Sequence, residues 1–198
     1  EGKPGLKGLP ATFTSGEVKA LDESACGNDD SKVYTLEIDA ADPCIGLSAT
    51  LIYSVFPEQD VITRSVRLKN SSDKNIFITK VMSTALDLPD EGYEMLSLHG
   101  SWARERRMEF RKIGYGKQSV GSIKGKSSHQ EHPFIALVDN GSSQETGHVY
   151  GFSFVYSGNF LAQVEKNQFD SLRILWVFIL RTLSGSLSRA RSSKHRRL

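Results

Sequence analysis

Alternation of apolar and polar residues with a period of two is the feature that most restricts this chain. In Leu47–Phe56, the residues Leu47, Ala49, Leu51, Tyr53 and Val55 fall on one face, while Ser48, Thr50 and Ser54 fall on the other. Successive side chains of a strand point to opposite faces, so the pattern reads as a half-buried antiparallel strand. Residues 33–39 behave similarly, and residues 61–68 place Ile62, Val66 and Leu68 together. A turn-forming cluster at residues 70–75 then reverses the chain into residues 76–81. Further strands are predicted at residues 133–138, 149–156, 160–165 and 171–176. Strands at short intervals, separated by turn-forming clusters, indicate an all-β sandwich or barrel.

The middle of the chain reads differently. Residues 102–110 are the one stretch suited to a helical turn or two. Gly92, Gly100, Gly114, Gly116, Gly121 and Gly125 punctuate its surroundings and suit long loops. After Trp176 the texture changes again: residues 182–198 are rich in Ser and Arg, lack aromatics and show no period. That stretch reads as a disordered basic tail or as sequence foreign to the domain. The division expected is therefore one partial β-domain over residues 1–176 and an atypical tail over 177–198.

Composition excludes several function classes. Hydrophobic residues make up 38% and charged residues 24%, which is ordinary for a globular chain. The longest apolar run, residues 174–180, is far short of the ~20 residues of a membrane-spanning helix. Six of the 25 basic residues and none of the 23 acidic ones lie beyond Trp176, so residues 1–176 are mildly acidic. Neither a membrane nor a nucleic-acid partner is expected for that body. No apolar leader is visible at the start. Cys26 and Cys44 flank a predicted strand and form a candidate disulfide only if the chain folds back there. Two sulfurs alone make no zinc site. Asn70 and Asn140 head Asn-x-Ser sequons in turn-like stretches and are candidate N-glycosylation sites. These hints point to secretion if a parent protein carries a signal peptide, and to the cytoplasm otherwise.

Six stretches carry a resemblance: residues 8–12 (GLPAT), 60–65 (DVITRS), 86–90 (LDLPD), 98–106 (LHGSWARER), 127–130 (SSHQ) and 155–160 (VYSGNF). Together, and in this order, they are similar to the N-terminal domain of glycoside hydrolase family 36, the microbial and fungal α-galactosidases. The resemblance covers roughly residues 1–176 and implies part of an antiparallel β-supersandwich of the galactose-mutarotase-like type, incomplete at both ends. Beyond Trp176 the family's Gly-Ile-x-Pro stretch is replaced by the basic tail, as a shifted reading frame or mis-joined gene end would produce. In the family this domain precedes a (β/α)8 barrel, and the enzymes release terminal α-galactose from melibiose- and raffinose-type sugars with retention. Expected partners are thus α-galactosides in the whole enzyme, the barrel, and further copies of the chain. No cofactor is implied.

Retaining glycosidases need two carboxyl groups about 5–5.5 Å apart. The family's nucleophile lies in a Lys-Trp-Asp motif, but the tryptophans here precede Ala103 and Val177. The acid/base motif Ser-x-Asp matches only trivially, at Ser71-Ser72-Asp73. No catalytic residue is assigned. Candidate interface or pocket-rim residues are Trp102, Arg104, Glu105, Arg106, His129 and Asn159. For the Trp102–Arg106 cluster, one reading is a loop packed against the barrel or a neighbouring subunit. The other, which a lone sequence favours, is an internal ion-pair knot with Trp102 in the core. His99, His129 and His132 are better read as hydrogen-bonding histidines than as a metal triad. The aromatic series Tyr150, Phe152, Phe154, Tyr156 suits a core stripe better than a sugar platform. Two rival functions stand beside the accessory-domain reading: an autonomous carbohydrate-binding module, and a non-functional truncated product.

Overall fold

The structure is a computed structural model that describes residues 14–20, 33–78, 80–143, 145–179, 185–187 and 192–194. Its described residues form strands and one 3-10 turn, and they divide into two compact units.

The first unit comprises Glu1–Ile78 with Gly185–Arg197. Strands β1 (Thr14–Ala20), β2 (Tyr34–Asp42), β3 (Leu47–Phe56) and β4 (Val61–Asn70) form an antiparallel sheet in that order. The register places Ile38 beside Leu51 and Leu51 beside Val66, so the apolar members of three strands share one face. Tyr53 and Arg64 are also paired on that face, with the Arg64 guanidinium 4.9 Å from the Tyr53 ring centre. A cation over an aromatic face is attracted by the ring quadrupole, which accommodates an arginine in an apolar row. Pro57–Gln59 forms the 3-10 turn between β3 and β4.

The cluster after β4 turns as its composition requires. Asn70 is fully buried; its Nδ2 donates to the Lys74 carbonyl at 2.7 Å and its Oδ1 accepts from Ser72 N at 2.9 Å. Such self-bonding by Asn mimics a backbone turn. Strand β5 (Ile76–Ile78) follows. The expected continuous strand over residues 76–81 is split, because β6 (Lys80–Pro89) joins a different sheet in the second unit.

The second unit comprises Thr79–Ser184 and Leu198. It contains β6, β7 (Glu94–Ser101), β8 (Arg104–Lys112), β9 (Gly116–Ser122), β10 (Glu131–Val138), β11 (Val149–Ser153), β12 (Phe160–Lys166) and β13 (Ser171–Ile179). One sheet runs β11-β10-β7-β8 and another β12-β13-β6. Beside β12 lies β9: Tyr115 bridges Lys166, and Gly121 lies against the Phe160 carbonyl. The inward residues of both sheets meet in one core that includes Met95, Ile135, Leu137, Val120, Phe160, Val164, Leu172, Ile174 and Trp176. Trp176 has no exposed surface and stacks on Phe154 and Phe160, with ring centres 5.5 and 5.8 Å away. Its indole Nε1–H is buried without a hydrogen-bond partner among the described residues.

Two expectations need correction. Residues 104–112 form a strand, β8, and no helical turn. The middle region holds three strands rather than long loops, because several of its glycines sit inside or between strands. Within the tail, strands β14 (Gly185–Leu187) and β15 (Ser192–Lys194) pair with β5 and β4. Strand edges expose unpaired N–H and C=O groups that recruit backbone with little regard to side chain, so a stretch without visible period can still add to a sheet. The last core strand also runs past Trp176, with Val177–Ile179 paired to β6.

Candidate functional site

The β7–β8 hairpin presents a run of exposed large and charged side chains. Ser101 pairs with Arg104 across the tip, and His99 pairs with Arg107. Gly100 therefore faces two residues, Glu105 and Arg106, which constitutes a β-bulge. A Cβ on Gly100 would lie 2.1 Å from the Arg104 carbonyl oxygen, so only glycine fits there. Ala103 and Arg106 both adopt positive φ, 61° and 56°. Non-glycine residues rarely take that conformation, and its cost is concentrated at this tip.

Trp102 at the tip is 89% exposed. Arg104, Glu105 and Arg106 are exposed as well. The internal knot with a core tryptophan, which the sequence favoured, is thus overturned: the bulge and tight turn hold the cluster outward. The Glu105 carboxylate is held below its usual range by its own backbone N–H and that of Ala103, with His129 nearby adding to the effect. His132 is pushed down by burial first, then by the positive charges of Arg106 and His129. Glu105, Arg106, His129 and His132 are accordingly neighbours. Asn159 plays a different part. It is buried, and its Oδ1 accepts from Gly125 N at 2.6 Å, while Ser127 N donates to the Ser157 carbonyl at 2.8 Å. These bonds pin the β9–β10 connection that carries exposed His129, so Asn159 positions the rim from beneath.

A pocket of about 330 Å³ opens beside the hairpin, lined by His99, Arg111, Ser119, Ile123, Glu131 and Leu161 among others. The His99 Nε2 lies 2.8 Å from Ser97 Oγ and 3.3 Å from Glu109, and its Nδ1 lies 3.4 Å from Glu131. Arg111 grips Glu109 with two bonds of 3.0 Å and holds that carboxylate below its usual range. Sequence reasoning missed Glu109, Arg111 and Glu131; the one available signal was the spacing of Glu109 and Arg111, two apart and so on one face of a strand. Among the described residues, no group of three or more His, Cys, Asp or Glu is placed to hold a metal ion.

The remaining candidates lie elsewhere. Asn140 is exposed, whereas Asn70 is enclosed in its turn. Cys44 is exposed, and Cys26 lies outside the described residues. Of the aromatic series, Phe154 is in the core, Phe152 and Tyr156 pack against it, and Tyr150 is half-exposed on Tyr93.

These features define an all-β domain with an exposed, strained hairpin rim. The chain belongs to glycosyl hydrolase family 36: the profile of that family's N-terminal domain matches residues 1–182. It is 43% identical over 174 residues to alpha-galactosidase AgaA of Geobacillus stearothermophilus, covering 88% of this chain and 22% of that one. It is 42% identical over 166 residues to alpha-galactosidase 2 of Hypocrea jecorina, covering 84% and 20%. The crystal structure of the Geobacillus AgaA superposes with a TM-score of 0.80 at 34% identity, covering 93% of this chain and 27% of that one. The alpha-galactosidase of Lactobacillus brevis gives 0.82 at 31% identity, covering 94% and 26%. The chain thus spans about a quarter or less of these relatives' length.

Proposed function

We propose that this chain is the non-catalytic N-terminal β-domain of an α-galactosidase-type glycosidase, which holds and shapes the enzyme while another part performs hydrolysis. The observation that carries the reading is the Trp102 hairpin. A strained, bulged turn that displays an indole 89% exposed, just ahead of the exposed Arg104 and Arg106, is suited to fill a contact on another surface. We assign that surface to the family's catalytic barrel or a neighbouring subunit. The whole enzyme would then release terminal α-galactose from oligosaccharides; variants of the Geobacillus relative are described in complex with raffinose and with stachyose. The carboxylates Glu131, which lines the pocket, and Glu109 beside it support a structural role, because each lies against the His99 imidazole and they do not face an open cleft together.

The purified chain, assayed on a chromogenic α-galactoside and titrated with melibiose, should show neither turnover nor saturable binding. Turnover would overturn the non-catalytic reading, and saturable binding would favour an autonomous carbohydrate-binding module. The rim is tested by joining this domain to the remainder of the Geobacillus enzyme and replacing Trp102 with Ala. Loss of activity with an unchanged melt of the domain is expected; unchanged activity would remove the rim's role.

A further inference from the structure

Asn140 lies in the connection between β10 and β11 and is the one asparagine of the sequence followed by glycine. It is exposed, and with Gly141 it forms the corner of a turn that Ser142 N closes by donating to the Asp139 carbonyl at 3.1 Å. Gly141 has a φ of 88°, the positive value that the third residue of a type II turn requires. The turn's hydrogen bond uses neither the Asn140 side-chain amide nor the Gly141 N–H, and neither has another partner among the described residues. Beyond its chain neighbours, no atom lies within 4 Å of the place a Gly141 Cβ would take, so the nitrogen is open to approach. We propose that Asn140–Gly141 is a self-modification site, at which the chain converts its own side-chain amide into an isoaspartyl or aspartyl carboxylate through a cyclic imide.

The Gly141 backbone nitrogen loses its proton to hydroxide and adds to Cγ of Asn140. The new N–Cγ bond replaces the Cγ–Nδ2 bond, and ammonia leaves, taking a proton from water and regenerating the hydroxide. Water then adds to one carbonyl of the imide and breaks its bond to that nitrogen. Opening at Cγ leaves ordinary aspartate. Opening at the main-chain carbonyl leaves isoaspartate, with the backbone running through Cβ and Cγ. The net exchange is ammonia out and water in, with no oxidant or reductant consumed.

The fold selects this asparagine over the others. Asn70 is fully buried, with its Nδ2 donating to the Lys74 carbonyl and its Oδ1 accepting from Ser72 N. Asn159 is buried and its Oδ1 accepts from Gly125 N. Asn167 is exposed, but its Oδ1 accepts from Phe169 N at 2.8 Å and Ser171 N at 3.1 Å. Asn75 is exposed and precedes Ile76, whose branched side chain crowds the attacking nitrogen. At Asn140 the product sets a new carboxylate beside Asp139, which already accepts from His148 N at 3.1 Å. The change lies outside the strand register, which ends at Val138 and Val149, so it alters loop charge without reaching the core. The proposal rests on this loop alone and not on the accessory-domain reading.

The test uses the full chain from a bacterial host that adds no glycan to Asn140, held at mildly alkaline pH and sampled over days. Ion exchange should show an acidic species growing in, and peptide mapping with an isoaspartyl methyltransferase label should place it at Asn140, with Asn70, Asn159 and Asn167 unchanged. Hydroxylamine, which attacks the imide, should cut the chain between Asn140 and Gly141. The rate should rise about tenfold per pH unit, as for any proton lost far below its pKa. Asn140→Gln keeps the glycine that the turn needs and should abolish the acidic species, because the larger ring closes far more slowly. An Asn140 still intact after a free peptide of residues 138–143 has converted, no hydroxylamine cut at this bond, or an Asn140→Gln chain that acidifies at the parent rate would each overturn the proposal.

Discussion

Replacing Trp176 separates two effects that the core superimposes. The indole is completely buried between Phe154 and Phe160, yet its N–H finds no acceptor among the described residues. Trp176→Ala removes the packing and the orphan donor together, and large-to-small aromatic truncations of this kind cost about 3–5 kcal/mol. Against a total stability of about 5–15 kcal/mol, that leaves the fold close to unfolding. Trp176→Phe keeps one six-membered ring in the stack and leaves a cavity on the order of tens of Å³, which costs about 1 kcal/mol at ~24 cal/mol per Å³. Roughly another 1 kcal/mol goes with the lost apolar burial. An unsatisfied buried donor costs about 1–3 kcal/mol, and the phenylalanine removes it. The two contributions nearly cancel, so Trp176→Phe should lie within about 1 kcal/mol of the parent. Urea unfolding of the full chain, followed by near-ultraviolet dichroism, measures both variants. A Trp176→Phe loss as large as that of Trp176→Ala would refute the reasoning, because the N–H would then not be an uncompensated donor.

Further tests address the ion pairs, the hairpin and the sequons. Burial alone would raise the Asp90 carboxyl, but hydrogen bonds from Lys166 and from the Gly92 and Tyr93 backbone outweigh it and hold it below the usual range. A depressed folded-state value contributes stability that is present above the unfolded value near ~3.9 and lost as pH falls through the folded one. Asp90→Asn should therefore flatten the acid limb of a melt-versus-pH curve below about pH 4, and an unchanged limb would show that Asp90 does not contribute to it. Gly100→Ala should cost about 1–3 kcal/mol in thermal unfolding by driving a methyl group into the Arg104 carbonyl. Gly114→Ala, whose Cβ would meet nothing nearer than 4.0 Å, serves as the neutral control. Expressed through a secretory host, the chain should gain glycan at Asn140, with Asn70 unmodified in the folded product. Peptide mass mapping after deglycosylation reads this directly, and modified Asn70 in folded material would contradict its enclosure.

The sequence was most legible where a strand has two unlike faces. Leu47–Phe56 was delimited to the residue because its apolar and hydroxyl positions alternate, and the Asn70 turn was visible in its composition. Strand β8 was not, since an edge strand exposed on nearly every residue carries no burial pattern to read. Trp102 was misjudged for a related reason: tryptophan is usually well buried, and only the three-dimensional bulge opposite Gly100 shows why this one is turned outward. The His99 cluster draws Glu109 and Glu131 from different strands, and no spacing along one segment can announce a contact set by sheet register. The family resemblance, by contrast, rested on short motifs in the correct order and did not need the fold.

The pairing of β13 with β6 also sets a timetable. Asp87 and Arg173 face each other across that pair, 86 positions apart in the chain. A ribosome adding about 5–20 residues per second takes several seconds to cover that distance. Throughout that interval β6 has been made but its neighbour does not yet exist, so Met82 and Leu86 wait on an open edge. Closure must come from the β12–β13 hairpin arriving as a unit, a non-local step of the kind that makes β-rich folds slow. The vulnerable period for this domain is thus during its synthesis, after residues 80–89 have emerged and before residue 179 has.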